Sequence, residues 1–178
     1  MTKYFGKEAG RDEYKYRGIE CRQRSTPPFI EQAQKALIDE VDAGRDPESV
    51  CTELQSWLDR LRRSAVDLAD LVITKRVLKP RDTYTQSTHS VAALDRAADL
   101  GLTRSPGQDV SYVVVDDDKQ SRDRVALAVE EPAMYDGEYY CELLIRAATS
   151  VLSPLGWREN RITEFVSEHE EVCLQSFS

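Results

Sequence analysis

The sequence predicts an α+β fold: two short N-terminal strands, then a mainly helical domain that carries one β-hairpin. Three features carry that prediction. Apolar residues recur at helical spacing through most of the middle of the chain, and β-branched runs at 110–115 and 125–129 flank a charged loop. The opening residues place aromatic and basic side chains on either side of a polar, glycine-containing stretch, the pattern of two strands around a loop. With 178 residues the chain is long enough to bury a core without covalent staples.

Taken in order, Lys3-Tyr4-Phe5 and the run from Tyr14 to Cys21 are the two strands, and they need a larger sheet to join because a lone pair is marginal. Ser25-Thr26-Pro27-Pro28 breaks the chain. Phe29, Ala33, Ala36, Leu37 and Val41 then describe a helix that Gly44 ends. Asp46-Pro47-Glu48 starts the next one, with a capping carboxylate followed by a proline in the first turn, and Val50, Leu54, Trp57, Leu58, Leu61 and Ala65 continue its stripe. Leu71 to Val77 reads as extended, stopped by Lys79-Pro80. Val91, Leu94, Ala97 and Ala98 form a helix closed by Gly101, and Pro106-Gly107 turns the chain into the hairpin. Tyr139 to Leu155 is the last helical stretch. Trp57, Tyr112, Tyr139 and Tyr140 are expected in or against the core.

Composition removes several classes of function. Cys21, Cys51, Cys141 and Cys173 are scattered, with only His89 and His169 beside them, so neither a zinc site nor a disulfide framework is expected. No apolar run reaches the length of a bilayer span, and Met-Thr-Lys-Tyr lacks the pattern of a signal peptide, so an intracellular protein without membrane contact is expected. The formal charge of −8 argues against nucleic acid only superficially, because its distribution is uneven. From Tyr14 to Ile30 four cations face one carboxylate, a net of +3, and from Arg60 to Arg81 seven face two, a net of +5. From Glu130 onward ten carboxylates face three arginines, a net of −7. The Lys-poor, Arg-bearing, acidic composition resembles that of proteins from salt-loving archaea.

Several segments, in order, resemble the C-terminal end of the archaeal-type family B DNA polymerases. Lys3-Tyr4-Phe5-Gly6 is similar to the element just after the catalytic palm loop. Lys15-Tyr16-Arg17-Gly18-Ile19-Glu20, followed by Arg22 and Arg24, is similar to the element that contacts primer-template DNA near its growing end. Leu71-Val72-Ile73-Thr74-Lys75, with Lys79-Pro80 and Tyr84, resembles the passage into the lower thumb. Pro106-Gly107, Val110-Ser111-Tyr112-Val113-Val114 and Asp123-Arg124 resemble the thumb hairpin, and Tyr135-Asp136 with Tyr139-Tyr140 the entry to the last thumb helix. The chain departs from the family at Cys141 to Ala148.

The resemblance implies terminal palm strands at 1–25, a thumb at 26–157 and an acidic tail at 158–178. It implies DNA contact by Lys3, Tyr4, Lys15, Arg17, Gly18, Arg22, Arg24, Lys75 and Lys79. Such contact fits cations spaced along strands, which meet phosphate without reading bases. Leu174 and Phe177, three apart in the tail, resemble a degraded sliding-clamp-binding motif presented on a short turn. Nucleotidyl transfer needs two metal ions on palm carboxylates, and the family's Asp-Thr-Asp loop does not occur here. Asp116-Asp117-Asp118 reads as a turn, and His89 as a surface or capping residue.

The implied partners are therefore primer-template DNA, a palm-bearing polymerase chain that supplies the magnesium site, and a sliding clamp. The chain is expected to bind no cofactor itself, to be inactive alone as a nucleotidyltransferase, and to reside in the cytoplasm with the nucleoid. The competing expectation is a non-enzymatic DNA- or clamp-binding module, or the relic of a truncated polymerase gene.

Overall fold

The computed structural model describes residues 4–7 and 14–175. Strands β1 (Tyr4–Lys7) and β2 (Tyr14–Arg17) pair antiparallel, with Tyr4 opposite Arg17 and Lys7 opposite Tyr14, and form a two-stranded sheet of their own. A short 3-10 turn at Glu20–Arg22 leads to α1 (Pro28–Asp42) and α2 (Pro47–Arg62). The α2 start is as expected: the Asp46 side chain accepts from the Ser49 amide, and Pro47 occupies the first turn, where no N–H is needed. The α2 end falls earlier than its apolar stripe predicts. Ser64 adopts φ 53° and turns the chain, so Ala65 is exposed and the core is re-entered at Val66.

The extended segment is also shorter than expected, because Leu68–Leu71 forms a 3-10 turn that buries Leu71. Only Ile73–Arg76 pairs as a strand, β3. Helix α3 (His89–Asp99) is capped by the Thr88 side chain, and Gly101 at φ 72° closes it as predicted. Strands β4 (Asp109–Val114) and β5 (Val125–Leu127) form the predicted hairpin. The β5 strand is cut short by a 3-10 turn at Ala128–Glu130, which leaves Val129 exposed. β3 joins the hairpin along β4 to make a three-stranded antiparallel sheet, with Ile73 opposite Tyr112 and Arg76 opposite Asp109.

Helix α4 (Gly137–Leu152) spans the stretch where the sequence departs from the family pattern, and buries Cys141, Leu144, Ala147 and Ala148. It packs on α1 and α2, while α3 covers β4 and β5. Tyr140 joins the two layers. Its buried hydroxyl donates to the Leu71 carbonyl at 2.9 Å and accepts from the Val114 amide at 3.1 Å, so one side chain satisfies two interior backbone groups. Trp57 is half-buried, lying edge-on to Phe29 with the Arg60 guanidinium 5.1 Å from its ring, which places it at the border of the core.

The expected tail is the largest difference. Residues 159–175 form α5 (Glu159–Gln175), which packs on α2 and α4. Trp157, Ile162 and Val166 are buried, so the region after 157 completes the hydrophobic core. Its net acidity masked an apolar stripe at helical spacing. The backbone at Leu174 is helical and is not part of a turn. No helix is long and apolar enough to cross a membrane among the described residues.

Candidate nucleic-acid interface

The segment between β2 and α1 carries the densest run of predicted contacts, and its path is set from below. Gly18 lies at φ 70°, a conformation that strains any residue with a Cβ, and there the chain leaves β2. Gln34 of α1 then holds the adjoining turn. Its Oε1 accepts from the Cys21 amide at 2.6 Å, and its Nε2 donates to the Glu20 carboxylate and the Ala147 carbonyl, each at 2.8 Å. Gln34 is fully buried, and these bonds fasten the 20–22 turn to α1 and α4. Sequence reasoning missed it, although a polar residue in phase with Ile30, Leu37 and Ile38 was the available signal.

That anchoring brings the turn against the edge of the sheet. Lys75 of β3 donates to the Ser25 hydroxyl at 2.9 Å, and Arg24 pairs with Asp109 of β4 at 2.7 Å. Asp109 stands opposite Arg76 in the ladder, so Arg24, Lys75 and Arg76 gather at one end of β3 and β4, and all three are exposed. Arg76 was not singled out from the sequence; only the strand pairing places it beside the turn. Arg22 is exposed on the same turn. Lys79 is exposed beyond the end of β3, where its amide and that of Leu78 both donate to the Tyr84 hydroxyl at 3.3 Å. Lys15 is exposed on β2. Tyr4, Arg17 and Leu174 are described by backbone only, and Lys3 and Phe177 lie outside the described residues.

The carboxylate triplet is a folded turn. Asp117 accepts from Arg124 and pairs with His89 Nε2 at 2.5 Å, while its amide donates to Asp136 at 2.7 Å. Burial alone would raise the Asp117 pKa, but the bonds from Arg124 and His89 outweigh it and hold the carboxyl below its ordinary value. Asp116 faces Lys119 at 3.3 Å. His89 opens α3 and its ring lies 4.9 Å from that of Tyr139, so it ties the helix start to both the turn and α4. With the Asp116 and Asp117 carboxylates already engaged by Lys119 and Arg124, the triplet does not fit a divalent metal pair. No group of three His, Cys, Asp or Glu side chains is placed to hold a metal ion among the described residues.

Beside the basic edge opens a cleft of about 390 Å³, bounded by the 20–27 segment, β3, β4, the start of α3 and α4. Ile30, Ile73 and Leu143 form its apolar floor, and Lys75 and Ser25 stand at its wall.

Compared with known proteins, residues 1–155 match the model of the family described as DNA polymerase family B. "DNA polymerase 3" of Saccharolobus shibatae is 24% identical over 136 residues, covering 75% of this chain and 18% of that protein. The "DNA polymerase" of Desulfurococcus sp. (strain Tok) is 27% identical over 153 residues, covering 83% of this chain and 20% of its own length. The solved family B DNA polymerase of the hyperthermophilic archaeon Pyrobaculum calidifontis superposes on 78% of this chain with a TM-score of 0.65 at 21% identity, covering 18% of that chain. The α+β framework that carries the basic edge is thus similar to part of that solved polymerase. The chain belongs to the family B DNA polymerases. It spans about a fifth of the length of the curated relatives it matches.

Proposed function

We propose that this chain is the thumb of a family B polymerase with its adjoining palm strands, and that it grips primer-template duplex. The observation that carries this reading is the gathering of Arg24, Lys75 and Arg76 at one exposed edge, from two segments about fifty residues apart, with Arg22 exposed on the same anchored turn as Arg24. Cations on fixed backbone suit phosphate contact, which positions a duplex without reading its sequence. Nucleotidyl transfer and its magnesium belong in this proposal to a palm-bearing chain, since Asp116 and Asp117 are engaged by Lys119 and Arg124 and no group of three His, Cys, Asp or Glu side chains is placed to hold a metal among the described residues. A sliding-clamp contact through Leu174 and Phe177 is part of the same proposal, with the complex acting in the cytoplasm at the nucleoid.

The test is fluorescence anisotropy of the full chain with primer-template duplexes of unrelated sequence. Arg17→Ala combined with Arg22→Ala is expected to weaken binding by a similar factor for every duplex. Parent-like affinity in the double variant at moderate salt refutes the assignment. In primer extension with magnesium, activity is expected only when a palm-bearing chain is added; extension by the purified chain alone that survives mutation of Asp116, Asp117 and Asp118 refutes the division of labour.

A further inference from the structure

The cleft next to the basic edge contains more than phosphate contact requires. Tyr112, on β4, lines it with a side chain only 3% exposed, and its hydroxyl has no hydrogen-bond partner among the described residues. The hydroxyl is the accessible tip of an otherwise buried ring, open on the cleft as a donor and acceptor for a ligand. Burial, followed by the nearby Tyr139, raises the Tyr112 phenol above its ordinary range, so it remains a hydrogen-bond donor at neutral pH. Tyr139 also lines the cleft.

The remaining walls supply two other kinds of chemistry. Helix α3, eleven residues long, begins at the cleft, where Thr88 caps the Val91 amide and leaves the amides of His89 and Ser90 as free donors among the described residues. With Lys75 these donors favour an anion. The floor of Ile30, Ile73 and Leu143 is apolar, and a bare phosphate would not use it. Glu20 also lines the cleft, but its carboxylate already accepts from Gln34. At about 390 Å³ the space is that of a small-molecule pocket, large enough for a base together with its sugar and phosphate.

We propose that this cleft binds one nucleotide unit, its phosphate toward Lys75 and the start of α3, its base over Ile73 and Leu143 within reach of the Tyr112 hydroxyl. The unit comes either from a strand end of the bound DNA or from a free mononucleotide. The first source rests on the DNA-binding function proposed above, and the second does not.

The experiment is titration of the full chain with dAMP, followed by NMR and calorimetry, in parallel with duplex binding in the presence and absence of excess dAMP. Tyr112→Phe removes only an unpartnered hydroxyl and keeps the ring, so the fold is preserved, and Lys75→Gln removes the charge at an exposed position. Each is expected to weaken dAMP binding about threefold to tenfold, the scale of one hydrogen bond or one partly screened charge. Competition of dAMP with duplex supports the cleft as a seat for a DNA end; dAMP binding without competition supports a free mononucleotide. If dAMP leaves the signals of Ile73, Ser90 and Tyr112 unmoved, or Tyr112→Phe binds dAMP as the parent does, the proposal is overturned. Loss of duplex binding in the Arg17/Arg22 variant with unchanged dAMP affinity separates this site from the basic edge, and an absence of any duplex binding refutes the edge alone.

Discussion

At the scale of single residues, two buried polar side chains hold the turn and the layers together. Gln34→Leu fills the same space but leaves the buried Cys21 amide unpaired. It is expected to destabilise by about 1–3 kcal/mol, the cost of one orphaned interior group, which urea unfolding would measure. The ion pairs give a pH dependence of defined sign. Hydrogen bonds from Arg96 lower the Glu130 pKa against burial, and Asp117 is lowered by Arg124 and His89. A depressed carboxylate stabilises the fold above its unfolded value and loses that contribution as pH falls through the folded one. Stability is therefore expected to fall below the ordinary values of 4.5 and 3.8, and Glu130→Gln to flatten the upper part of that fall. A slope unchanged in Glu130→Gln would show that the pair contributes nothing measurable.

Among the elements, α5 is disguised by its own surface. Eleven of its seventeen residues are polar or charged, yet Ile162 and Val166, four apart, reach the core on one face. Ile162→Ala is expected to cost about 2–4 kcal/mol, the range for emptying a buried aliphatic site, seen as a lowered urea midpoint. Deleting 171–178 removes no residue of the described core and is expected to leave both stability and duplex binding intact while reducing clamp association. Failure of that truncation to fold would make the end of α5 structural. The β1–β2 pair sits at the other extreme. Among the described residues the two strands have no third partner, and such a pair is marginal in water on its own.

For the whole molecule, the acidic total and the basic edge coexist because phosphate senses local charge within a Debye length. Each phosphate contact contributes about 0.9 to the slope of log affinity against log salt. Arg22→Ala and Arg24→Ala are each expected to reduce that slope by up to this amount, and Arg24→Ala by less if its pairing with Asp109 persists when duplex is bound. Anisotropy titrations over a range of potassium chloride would measure it. Variants that weaken binding without changing the slope would place these arginines away from phosphate.

Periodicity and punctuation determined much of the local plan: α1, α2, α3, α4 and the β4–β5 hairpin arise from apolar spacing, capping residues and glycine stops, which act over a few residues and are written locally. The basic character of Arg22, Arg24 and Lys75 was equally legible, since charge is a property of composition. Only the tertiary structure decided that β3 pairs with β4, that Arg76 joins the same edge, that Gln34 anchors the turn, and that 159–175 packs as a core helix. Those outcomes depend on which surfaces meet across tens of residues, where burial of Leu71, Tyr140 and Val166 against distant partners outweighs local pattern. The cleft belongs to the second group as well. Tyr112 reads as an ordinary strand residue until folding buries its ring and leaves its hydroxyl without a partner among the described residues.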